Sequence, residues 1–186
     1  MILELALIVA GAGAAGYILK RRRRKKAKEA AAKPPPRRTG DVRVGDALLY
    51  MGSDYIVTGE LIFNEEGQVF RLFTVTDGKR DRWLLAEEGQ PALRSLLEEA
   101  AGLDLAGSAP DTVPHRGVSY RMRKRGMAQA TSQGEVSRFS PGQYEYYRYS
   151  APGRQVLLAL RREAETTLLV GEEIMPGALE ILPGQP

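Results

Sequence analysis

Hydrophobic positions along this chain follow three different rhythms. Between Leu5 and Leu19 they are continuous: no side chain is charged and only Tyr17 is polar. Counted from Ile2, the run makes a helix about 27 Å long, close to the roughly 30 Å hydrocarbon thickness of a bilayer. The pattern predicts a single N-terminal transmembrane helix over residues 1–19.

The second rhythm is one of short β runs. Residues 47–51 and 55–63 are rich in Val, Ile, Leu and Tyr, with Gly52-Ser53-Asp54 as a turn between them. In residues 68–76, Val69, Arg71, Phe73 and Val75 alternate with Phe70, Leu72 and Thr74, and Asp77-Gly78 is a hairpin signal. Arg82-Trp83-Leu84-Leu85 begins the next strand, and further strands are expected near Val118 and over residues 127–131, 143–150, 155–160, 167–170 and 174–182. The third rhythm is helical. Leu93, Leu96, Leu97 and Ala100 fall at the spacing of one helix face, bracketed by Pro91 and Gly102, which predicts a short helix over residues 91–101.

The two β-rich halves, about 41–90 and 115–186, share turn positions. At an offset of 75, Gly59-Glu60 meets Gly134-Glu135, Gly67-Gln68 meets Gly142-Gln143, and Gly78 meets Gly153. The expected domain, 41–186, is therefore mainly β: two related antiparallel meanders, one connecting helix, packed face to face as a sandwich or closed as a roll.

Charge changes the picture at the N-terminal side. Lys20-Arg21-Arg22-Arg23-Arg24-Lys25-Lys26 follows the apolar run directly. Basic residues flanking a span stay in the cytoplasm, so the N-terminus is expected outside and the domain inside, at the inner membrane. The same run would attract anionic lipid headgroups. Residues 20–40 form a polybasic and Pro-rich linker, stiffened by Pro34-Pro35-Pro36. The net charge of +4 hides a division: from Thr39 onward 16 Lys/Arg face 21 Asp/Glu. The domain is mildly acidic and no nucleic-acid partner is expected. Gly11-Ala12-Gly13-Ala14-Ala15-Gly16 matches a dinucleotide-binding fingerprint. It is followed by a basic run instead of a continuing helix, second strand and acid, and reads better as a small-residue helix face.

Composition removes several chemistries. There is no cysteine, so disulfides, thiolate nucleophiles and cysteine-ligated zinc are excluded. One histidine, His115, leaves no multi-histidine metal site within one chain, and it is expected in a loop. Glu60 and Glu135, at matching positions of the two halves, are the first carboxylate pair to test as an acid–base pair. Asp41, Asp46 and Asp54 read as turn caps. Trp83 is a core anchor or a stacking platform, and Tyr147 and Tyr149 share a strand face that packs inward or meets a partner. Arg121-Arg123-Lys124-Arg125 forms a second basic cluster.

The ordered motifs Val44-Gly45-Asp46, Tyr55-Ile56-Val57-Thr58-Gly59, Arg82-Trp83-Leu84-Leu85-Ala86-Glu87, Gly126-Met127-Ala128-Gln129-Ala130, Tyr146-Tyr147-Arg148-Tyr149 and Gly171-Glu172-Glu173-Ile174-Met175-Pro176 resemble a bacterial family known as domain-of-unknown-function family 4178. The resemblance runs from about residue 41 to 184 and implies no established reaction. It implies an association with envelope maintenance. Val69-Phe70-Arg71-Leu72-Phe73 departs from the pattern, where a tryptophan and a glutamate are common. The expected role is a membrane-anchored interaction or assembly module without cofactor, bound to the bilayer and a membrane-protein partner. An anchored small-ligand sensor and a carboxylate enzyme are the alternatives, with Glu60, Glu135, Trp83, Tyr147 and Tyr149 as contact residues.

Overall fold

Alternating side chains and tight Gly-containing turns drive the whole domain into strands. The computed structural model describes residues 42–87, 94–101, 103, 105 and 109–184. The expected span, the basic run, the linker and Asp41 lie outside the described residues. Among the described residues no helix is long and apolar enough to cross a membrane.

Eleven strands follow one another: β1 (Ala47–Tyr50), β2 (Ser53–Glu65), β3 (Gln68–Thr76), β4 (Asp81–Glu87), β5 (Arg94–Glu99), β6 (Thr112–His115), β7 (Val118–Gly134), β8 (Gly142–Ala151), β9 (Gln155–Arg162), β10 (Glu165–Glu173) and β11 (Leu179–Leu182). They pair antiparallel in the order β11-β1-β2-β3-β4-β5-β10-β9-β8-β7-β6, and β2 also pairs with β7. That last pairing closes eight strands, β2 to β5 and β7 to β10, into a β-barrel. The sheet expected to pack or roll therefore closes on itself, which removes most of its free edge.

The expected helix over 91–101 is corrected to β5 across Arg94–Glu99. Leu97 points into the barrel and Leu96 to the outside, and both are buried. A strand covered on both faces carries adjacent leucines, and such a run mimics one face of a helix. Pairing with β4 and β10 outweighs the local pattern.

Two five-strand meanders, β1–β5 and β6–β10, build the barrel and meet at two seams, β2–β7 and β5–β10. The repetition is visible in detail. β2 carries a bulge at Thr58 and β7 one at Arg123, and each precedes the stretch that enters the barrel. Hairpins β1–β2 and β6–β7 turn through paired left-handed residues, Met51 and Gly52 (φ 50° and 76°) and Arg116 and Gly117 (φ 48° and 78°), the geometry that suits a two-residue hairpin. A single offset of 75 fits only β4 against β9, where Trp83 and Leu85 match Leu158 and Leu160, all facing inward. Counted from the bulges, Glu60 corresponds to Arg125, not to Glu135. Gly59 and Gly134 are direct cross-strand partners at a seam.

The halves differ at the ends. β2 reaches β3 through the two-residue turn Glu66-Gly67, whereas β7 reaches β8 through residues 135–141. That longer loop folds Phe139 into one end of the barrel, edge-on to Trp83 at 5.8 Å, and is pinned where the Tyr144 hydroxyl donates to the Ser140 carbonyl at 2.8 Å. The rest of the interior includes Tyr146 together with Leu61, Phe63, Leu72, Leu158 and Leu169, these last five worth about 1.5–3 kcal/mol each on full burial. Outside the barrel, β1 and β11 cover Phe73, Val75 and Leu84, and β6 with Leu105 covers Tyr147, Tyr149 and Leu157. β11 pairs along the outer edge of β1 through Leu49 and Glu180. At the position equivalent to Leu49, β6 has Pro114, which offers no amide to a further strand.

Candidate functional site

A well-defined cleft lies outside the barrel, over the β5–β10 seam and between the tips of hairpins β1–β2 and β6–β7. It is a groove of about 430 Å³. β1 and β2 supply Tyr50 and Tyr55, β4 supplies Arg82, β5 Glu98, β6 His115, the following turn Arg116, β7 Tyr120, β9 Gln155 and β10 Glu172. Tyr55 and Tyr120 are equivalent residues of the two halves, as are Met51 and Arg116 at the tips. The groove is thus a product of the repeat, and neither half could form it alone.

Its polar groups are only partly satisfied. The Tyr50 hydroxyl donates to Glu172 Oε1 at 3.2 Å, and burial, followed by that acidic partner, pushes the phenol up from its ordinary pKa. Burial raises Tyr120 likewise, and its hydroxyl reaches Gln155 at 3.5 Å. Arg82 donates to the Tyr55 hydroxyl at 3.3 Å and stands 3.8 Å from Glu98, which Arg116 approaches from the other side at 3.7 Å. Among the described residues, two buried nitrogens of the groove have no hydrogen-bond partner: Arg82 Nε and His115 Nε2. His115 is only 8% exposed. It sits on β6 instead of the expected loop, because residues 112–115 pair with β7. A buried polar atom left without a hydrogen bond is costly, which makes its presence in a cleft a signal for a bound group.

The residues singled out in the sequence are dispersed. Glu60 is buried and its carboxylate is taken by Arg71 at 2.7 Å. Glu135 is exposed, while its backbone bonds Thr58 across the seam. The two carboxylates do not form the expected acid–base pair. Trp83 is a core anchor inside the barrel. Tyr147 and Tyr149 are buried beneath β6, so their expected partner-facing role gives way to packing. Arg121, Arg123 and Arg125 are exposed, but the bulge at Arg123 reverses the face on which the strand's side chains emerge, so they form no single basic face. Asp46 does cap: it accepts from the Arg43 and Gly184 amides at 2.8 and 2.9 Å, tying both ends of the domain together. Among the described residues no three His, Asp or Glu side chains gather as a metal site would require.

A second polar cluster fills the barrel end opposite Phe139. Glu65 Oε2 accepts from Lys124 and from the Tyr146 hydroxyl, both at 2.6 Å, and Lys124 also reaches Gln68 at 3.0 Å. These bonds hold the Glu65 carboxyl below, and Lys124 above, their ordinary ranges. Beside them Arg148 meets Glu87 and lies over the Phe70 ring, and burial pulls its guanidinium down to about 10. Every carboxylate of this cluster is engaged, so it reads as a polar cap on the core.

Neither a curated protein nor a solved structure matches the chain. A family model does, that of the domain of unknown function (DUF4178), over residues 43–176, which spans every strand from β1 to β10 and all of the groove. With most of its length and its whole barrel inside that match, the chain belongs to the DUF4178 family.

Proposed function

We propose that this protein is a membrane-anchored recognition module: residues 1–19 hold it in the inner membrane, the polybasic run contacts anionic lipid, and the barrel in the cytoplasm binds a membrane-protein partner through the seam groove. The observation that carries the reading is the groove itself, with His115 Nε2 and Arg82 Nε buried in its wall and without a hydrogen-bond partner among the described residues. A polar group bound in the groove would offer each nitrogen a partner. A binding role is favoured over catalysis because Glu60 is committed to Arg71 and the acids of the groove are each engaged by neighbours. A small-ligand sensor is the second reading, favoured by the volume of about 430 Å³, which falls in the range of small-molecule pockets.

Affinity capture from gently solubilised membranes tests the first reading. The full chain is compared with a form lacking residues 1–26 and with His115→Ala. The expected result is one stoichiometric membrane protein, lost without the N-terminal segment and reduced by the groove substitution. A partner-free protein, or capture indifferent to both changes, would refute it.

A further inference from the structure

Each acid of the groove already has an internal partner, while several of its donors have no hydrogen bond among the described residues. Asp77 Oδ1 accepts the amides of Lys79 and Arg80 at 2.9 and 3.1 Å. Glu172 accepts the Tyr50 hydroxyl. Glu98 is shared by two arginines at 3.8 and 3.7 Å, beyond good hydrogen-bond length. Against these stand the guanidinium groups of Arg80, which makes no hydrogen bond among the described residues, and of Arg116, held only by its long ion pair to Glu98, together with Arg82 Nε and His115 Nε2. His115 is more than nine-tenths buried and lines the cleft.

Resting on the reading of the groove as the binding site, we infer that it recognises an anionic group, a carboxylate or a phosphate, held by Arg80, Arg82, Arg116 and His115. Guanidinium forks match the two or three oxygens of such a group, and an oxyanion between Arg82 and Arg116 replaces two long contacts to Glu98 with charge-assisted hydrogen bonds. His115 Nε2 donates when it carries its proton and completes the set from the buried side. The tyrosines at positions 50, 55 and 120 wall the rest of the cleft and suit the body of the ligand or a peptide backbone carrying the anion.

His115 is the only histidine, so its ring resonances report on this groove alone. The full chain, in phosphatidylcholine nanodiscs, is titrated with inorganic phosphate, with succinate and with chloride at constant ionic strength, and the His115 ring signals are followed by NMR. A saturable shift with phosphate or with succinate, absent with chloride, is the expected result, and the anion that saturates tells which group the ligand carries. Arg80→Gln combined with Arg116→Gln changes exposed side chains only and should raise the half-saturating concentration about tenfold, as loss of a charge-assisted bond does. Signals that do not move beyond the chloride baseline, or that saturate identically in the double variant, would overturn the inference. Capture of a partner through the groove would then survive, with the anion requirement removed.

Discussion

Gly171→Ala should open the β5–β10 seam. At Gly171 the two backbones come so close that an added Cβ would lie 1.9 Å from the Leu96 carbonyl oxygen and 3.0 Å from the Leu97 Cα. Both atoms belong to the backbone of β5, so no side chain can swing aside. Reaching an ordinary contact of about 3.5 Å requires the strands to part by roughly 1.5 Å. That separation breaks one or two ladder hydrogen bonds, each about 1 kcal/mol net, and exposes part of the Leu97 and Leu169 packing beneath. The expected loss is about 3–5 kcal/mol, a large share of a typical domain's stability. Thermal unfolding followed by circular dichroism should show the midpoint fall by about 10 °C or more. Gly177→Asn is the control: nothing lies within 4 Å of its added Cβ, and asparagine tolerates the φ of +80°. A Gly171→Ala protein that melts with the control would refute the closed seam.

Two further predictions concern the barrel ends. Glu65→Gln should cost roughly 1–2 kcal/mol at neutral pH, since Lys124 and the buried Tyr146 hydroxyl lose an ionised acceptor. Because the folded Glu65 carboxyl is depressed, its contribution is present above the unfolded carboxyl's pKa and is lost as pH falls through the folded one. Urea midpoints of the two proteins should therefore converge as the pH falls from neutral into the acid range; a constant gap would contradict the assignment. Phe139→Ala should destabilise by about 3 kcal/mol and shift the emission of Trp83, the sole tryptophan, to the red as water reaches the emptied end. Unchanged emission would show that residues 135–141 do not seal the barrel.

The strands were largely legible in the sequence because turn residues and alternation are local signals. Glu66-Gly67 and Asp77-Gly78 mark hairpins at the point where they occur, and the turn signal Gly52-Ser53-Asp54 lies one residue beyond the actual turn at Met51-Gly52. The repeat was legible only in outline. Three pairs of glycines matched at one offset, but the longer loop at 135–141 and the bulges at Thr58 and Arg123 shift the true correspondence from strand to strand. The misread helix has the same origin as the closed barrel: β5 is buried on both faces by strands distant in sequence, and adjacent leucines cannot announce that. The groove was not legible at all. It joins Tyr50, Arg82, His115 and Glu172 from separate strands, and only the seam brings them together. Its one sequence signal is a lone histidine two residues before Gly117, in a stretch whose local pattern suggests a loop.

The central claim is that the seam groove binds a membrane-protein partner, and site-specific photocrosslinking in intact cells tests it most directly. A photoreactive amino acid replaces Arg116 at the groove rim, and in a parallel strain Met127, which is 57% exposed on β7 and lies outside the groove. A discrete crosslinked membrane protein from position 116 and none from position 127 is the predicted result. Crosslinks from 127 alone, or none from 116 in membranes where the protein is abundant, would contradict it.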